Sequence, residues 1–115
     1  MQTGHHNETK IALITGGSRG LGRNTALHLA RQGIDLIITY RHRRDEAESL
    51  VAEVVRLGRR AVALELEVGD SKSFGVFAER VRSVLGETWR RGTFDFLVNN
   101  AGIGIHASFA QTTEA

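Results

Sequence analysis

Lys10-Ile11-Ala12-Leu13-Ile14-Thr15-Gly16-Gly17-Ser18-Arg19-Gly20-Leu21-Gly22 is the stretch whose reading decides the fold. Its apolar run, Ile11 to Ile14, is short and bounded by polar residues, the pattern of a parallel strand covered on both faces. Glycines follow at 16, 20 and 22, and a helical pattern begins behind them. Each meets a separate need. Gly16 permits the turn off the strand, Gly20 leaves room for a pyrophosphate to approach the backbone, and Gly22 lets the helix lie close on the sheet. Unpaired N–H groups at the start of that helix then face an anion.

Outward from this stretch, strand and helix patterns alternate. The first helix is expected from Gly20 to Gln32, with Leu21, Ala26, Leu29 and Ala30 on its apolar side and Gly33 as its stop. Ile34 to Thr39 is a second strand. Asp45 and Glu48 have the spacing of a capping box, opening a helix carried by Ala47, Leu50, Val51, Val54 and Leu57 and ending at Gly58. Ala61 to Val68 is a third strand, in which Val62, Leu64, Leu66 and Val68 alternate with small or polar residues. Asp70, Ser71 and Ser73 are candidate caps for a helix carrying Phe74, Phe77, Val81, Val84 and Leu85, with Gly75 as its weak point. Trp89 is expected to seal the end of that helix at the turn Trp89 to Gly92. Phe94 to Val98 is a fourth strand, running into Asn99-Asn100-Ala101-Gly102. This order predicts an α/β, doubly wound parallel sheet of strand order 3-2-1-4, with helices on both faces.

Composition narrows the function classes. The 115 residues make one domain of modest size, and 41% hydrophobic with 24% charged residues is ordinary for a soluble globular protein. With no cysteine, disulfides and thiolate metal sites are excluded. No segment has the length needed to cross a bilayer, so no membrane partner is expected. Residues 1–9 are polar and are expected to form a mobile arm; they lack the apolar core of a secretion signal, which predicts a cytoplasmic location. His5 and His6 in that arm are not read as a metal site. The formal charge of +2 comes from fifteen basic residues interspersed with thirteen acidic ones, so no nucleic-acid partner is expected.

Thr15 through Gly22 resembles the Thr-Gly-x-x-x-Gly-x-Gly signature of the short-chain dehydrogenase/reductase family, and Asn99-Asn100-Ala101-Gly102 is similar to its Asn-Asn-Ala-Gly motif. The interval between the two also fits, and the resemblance runs from about Lys10 to the C-terminus. It implies a Rossmann-like fold holding a nicotinamide coenzyme. Gly16, Ser18, Arg19, Gly20, Leu21 and Gly22 would then border the coenzyme at the glycine turn. Asn99, Asn100, Ala101 and Gly102 would line the adenosine side, with an asparagine amide tying neighbouring strands together. Glu67-Val68 stands where the family usually has Asp-Val against the adenine; glutamate is a methylene longer, which puts a direct contact in question.

Coenzyme choice is read from Tyr40-Arg41-His42-Arg43-Arg44. In a dinucleotide fold an acidic residue at the end of the second strand accepts from the ribose hydroxyls and selects NAD. None stands here. Arg41, with Arg19 approaching from the glycine turn, offers a clamp for a 2′-phosphate and predicts NADP(H), whereas Arg43 and Arg44 read as solvated. The resemblance implies hydride transfer between NADP(H) and a small carbonyl or alcohol substrate. The family's catalytic asparagine, serine and Tyr-x-x-x-Lys are not found in this chain, whose one tyrosine, Tyr40, is followed four residues on by Arg44. No catalytic residue is therefore assigned. Residues 10–115 are read as the truncated, N-terminal part of a Rossmann-type NADP-binding domain, inactive alone and prone to self-association along the fourth strand. The alternative is a non-catalytic nucleotide-binding module.

Overall fold

The computed structural model of the chain describes residues 9–16, 20–66 and 71–100, with 71–74 described by their backbone alone. Its elements are β1 (Ile11–Thr15), α1 (Gly20–Arg31), β2 (Asp35–Tyr40), α2 (Arg44–Arg56), β3 (Ala61–Glu65), α3 (Ser71–Val84), a π-helical turn (Leu85–Trp89) and β4 (Phe96–Asn99). The strands form one parallel sheet in the order β3-β2-β1-β4. Ile14 pairs with Ile38 on one side and with Val98 on the other, which makes β1 a central strand. This is the Rossmann-like, doubly wound arrangement that the alternation of elements predicts.

Continuous apolar runs in β1 and β2 follow from helices covering both faces of the sheet. Side chains alternate along a strand, so Ile11, Leu13 and Ile37 pack with Phe77, Val81, Leu85 and Phe94. Ala12, Ile14, Leu36 and Ile38 enter a second core with Ala26, Ala30, Leu50 and Val54. Each fully covered Leu or Ile contributes roughly 1.5–3 kcal/mol over its exposed state, so the two central strands dominate the packing energy. Val62, Leu64 and Leu66 all join the α3 side, as their alternation requires.

Several expectations are corrected. Leu21 is 79% exposed rather than part of the apolar side of α1. The buried residues of that helix are Gly22, Ala26 and Ala30, spaced by four, and Leu21 falls off this stripe. The capping box does not form: α2 starts at Arg44 behind Arg43, with no side-chain cap. Arg43 Nε meets Asp45 and Arg44 Nε meets Glu48, so arginines engage both of these carboxylates. Phe94 precedes β4 instead of opening it, yet is fully buried. β2 runs one residue past Thr39 to Tyr40. Trp89 packs against the α3-side core, as expected of a seal, and also donates its Nε1–H to Asp35 at 2.7 Å.

Candidate functional site

At the C-terminal edge of the sheet, β1, β2 and β4 end side by side. β1 leads through the Gly16 turn to α1 and out to β2 on one side, whereas the chain returns by way of β3 and α3 to place β4 on the other. The carboxyl ends on either side of β1 thus flank the crevice where open α/β sheets hold ligands.

Two buried threonines shape this edge. Thr15, at the end of β1, donates its Oγ1–H to Asn99 Oδ1 at 2.8 Å, tying β1 to β4. Thr39, near the end of β2, accepts from the backbone N–H of Gly16 at 2.9 Å, so the first amide of the glycine turn is fixed to β2. Both residues are buried, at 0% and 2% exposure, where an unpartnered hydroxyl would be costly. One ties β1 to β4 and the other ties the turn to β2. Gly16 adopts φ 67° and Gly20 φ 61°, left-handed conformations that glycine takes without a Cβ penalty.

The expected coenzyme residues fall into distinct positions. Gly16 and Asn99 are joined to the two threonines, and Asn100 follows β4 as an exposed residue. Gly20 and Leu21 begin α1, both exposed, while Gly22 is buried in the stripe facing the sheet. Arg41 stands exposed directly after β2. Its neighbours are engaged differently: Arg43 pairs with Asp45 and Glu46, and Arg44 with Glu48, whereas among the described residues no carboxylate pairs with Arg41. The hydrogen bond that Arg43 donates to Asp45 and the charge of Glu46 raise the pKa of Arg43, and Glu48 does the same for Arg44. Ser18, Arg19, Glu67, Val68, Ala101 and Gly102 lie outside the described residues.

Sequence reasoning passed over Thr39. Its signal was present, since a hydroxyl ends the buried apolar run Leu36-Ile37-Ile38 and a polar group there needs a partner. Among the described residues no group of three or more His, Asp or Glu side chains is placed to hold a metal ion. Nor is any helix among them long and apolar enough to cross a membrane.

Comparison with known proteins agrees with this geometry. The family model of the short chain dehydrogenases matches residues 10–115. A 3-oxoacyl-(acyl-carrier-protein) reductase of Staphylococcus aureus is 38% identical over 96 residues, covering 83% of this chain and 36% of that protein. A solved short chain dehydrogenase of Burkholderia cenocepacia, in complex with NADP, is 42% identical with a TM-score of 0.68, over 82% of this chain and 36% of its own. Another, described as a promiscuous reductase catalysing keto-reduction at C1 during lugdunomycin biosynthesis, is 36% identical with a TM-score of 0.76, over 84% and 39% of the two chains. The chain thus spans little more than a third of the length of these relatives.

Proposed function

The chain belongs to the short-chain dehydrogenase family of oxidoreductases, and on that premise we propose that it is the NADP(H)-binding part of a reductase that moves hydride between coenzyme and a small carbonyl or alcohol. The observation that carries the choice of coenzyme is Arg41. It is the arginine directly after β2 that no carboxylate pairs with among the described residues, at the strand end where a ribose-binding acid would select NAD. A guanidinium there suits the 2′-phosphate as a two-pronged donor. In this reading Gly16, Ser18, Arg19, Gly20, Leu21 and Gly22 border the pyrophosphate, and Glu67, Val68, Asn99, Asn100, Ala101 and Gly102 the adenosine side. Residues 10–115 form one coenzyme-binding unit, preceded by the arm 1–9.

The coenzyme would supply the hydride itself. What this chain's own residues would do is bind and orient: amides of the glycine turn on the diphosphate, Arg41 on the 2′-phosphate, and the Thr15–Asn99 and Gly16–Thr39 hydrogen bonds keeping the crevice at fixed width. The chain contains no Tyr-x-x-x-Lys, so turnover is assigned to residues other than these 115. Carbonyl-dependent oxidation of NADPH by this chain alone is expected to be undetectable, and a measurable rate would overturn that assignment. Self-association and a cytoplasmic location complete the proposal.

Calorimetric titration tests the coenzyme choice. NADPH is expected to bind about tenfold or more tighter than NADH, the scale of one or two charge-assisted hydrogen bonds, and Arg41→Ala to bring the two affinities together. Equal affinities in the parent protein would remove the case for phosphate selection. A non-catalytic module sensing NADP(H) is the second reading, favoured by the same missing Tyr-x-x-x-Lys. It would give the same titration, and catalytic competence after joining to a segment carrying that motif separates the two.

A further inference from the structure

At the opposite, N-terminal edge of the sheet lies a cleft of ≈ 500 Å³ whose walls include Asp35, Arg59, Arg60, Trp89 and Arg91. With strands rising about 3.3 Å per residue, it is separated from the coenzyme crevice by roughly the 15 Å length of a strand, and the proposed coenzyme function uses none of these residues. The cleft is built around a carboxylate. Asp35 is 4% exposed, accepts the Trp89 indole N–H at 2.7 Å and the Arg60 backbone N–H at 3.0 Å, and has Arg59 Nε at 3.7 Å. Its capacity is committed to the wall. Asp95, the other nearby acid, is held by Arg91 in a two-pronged pair at 3.0 and 3.2 Å.

The cations exceed what these acids neutralise. Arg59 is aimed by the carbonyls of Gly58 and Gly33, both at 2.9 Å, and Arg60 by the Thr88 carbonyl at 2.6 Å. Carbonyls orient a guanidinium without cancelling its charge. Among the described residues, no carboxylate pairs with the Arg60 guanidinium, and each arginine has five N–H donors of which these anchors occupy only part. A concave wall carrying excess charge of one sign focuses its field on small counter-ions.

We propose that this cleft is an anion site for a small phosphate-bearing molecule, gripped by Arg59 and Arg60 with Trp89 as its apolar wall. Phosphate suits it better than a single carboxylate because two guanidiniums line the same cleft, and planar forks match tetrahedral oxygens.

The chain's one tryptophan lines the cleft, so titration with inorganic phosphate, read by intrinsic fluorescence against sodium chloride of matched ionic strength, reports on it directly. A saturable response to phosphate and not to chloride is expected. Arg60→Gln and Arg59→Gln should each weaken it about tenfold, the loss of one charge-assisted contact. Both residues are on the rim rather than in either core, and circular dichroism checks that the variants keep the fold. Arg41→Ala, at the far end of the sheet, should leave the curve unchanged. Three results overturn the proposal: a response that chloride reproduces, which marks an adventitious ion only; affinity in the two glutamine variants unchanged from the parent; or loss of the response in Arg41→Ala, which would place the phosphate in the coenzyme crevice.

Discussion

Asp95 stands just before β4, its carboxylate accepting from the backbone N–H of Ile11 at 2.8 Å and from both Nη atoms of Arg91. Partial burial pushes its pKa up, but the Arg91 hydrogen bond, the Ile11 amide and the charges of Arg91 and Lys10 together outweigh this and hold it below the ordinary carboxylate range. A carboxyl whose folded pKa lies below its unfolded value of about 3.9 contributes stability that is complete above that pH. That contribution is lost as pH falls through the folded value. Thermal melts between pH 7 and pH 2 are therefore expected to fall more steeply on the acid side for the parent than for Asp95→Asn, which should be less stable at pH 7. Parallel acid limbs would show that this carboxylate does not set the acid response. At the other end of β1, Thr15 and Thr39 act through hydroxyls in the same way, each closing one strand end onto its neighbour.

Helix α3 carries a glycine in its interior. Gly75 is exposed, and a Cβ placed on it meets nothing within 4 Å. Glycine at such a position costs backbone entropy with no return in packing, so Gly75→Ala is expected to stabilise the protein by about 0.5–1 kcal/mol, read from denaturant midpoints. A destabilised variant would mean that this helix requires glycine for a contact outside the described residues. In α1 the small residues have the opposite logic. Gly22, Ala26 and Ala30 are the buried stripe, and their size is what lets the helix approach β1 and β2 while Leu21 stays exposed beside the glycine turn.

Taken as a whole, the sheet is unevenly protected. β1 and β2 are covered on both faces, but β4 is an edge among the described residues, with Phe96 44% exposed on it. Unpaired N–H and C=O groups along such an edge are a template for another strand. Sedimentation is expected to show self-association that increases with concentration and is relieved by Phe96→Lys, since a charge on the edge opposes pairing. A monomer at all concentrations, with cooperative unfolding, would count against it.

What the sequence determined by itself is the sheet and its order. Unbroken apolar runs at Ile11 to Ile14 and Leu36 to Ile38 can only be covered from two sides, and strands joined through helices must then run parallel. The glycine spacing likewise placed the turn, and the missing acid after Tyr40 pointed to Arg41, because both depend on local backbone and charge. Tertiary structure decided the partners. Thr15 reaches Asn99, Asp35 reaches Trp89 and Asp95 reaches Ile11 across 84, 54 and 84 residues of chain. No local spacing signals such pairs: a buried polar group announces that it needs a partner, and only the packed fold determines which one comes within reach.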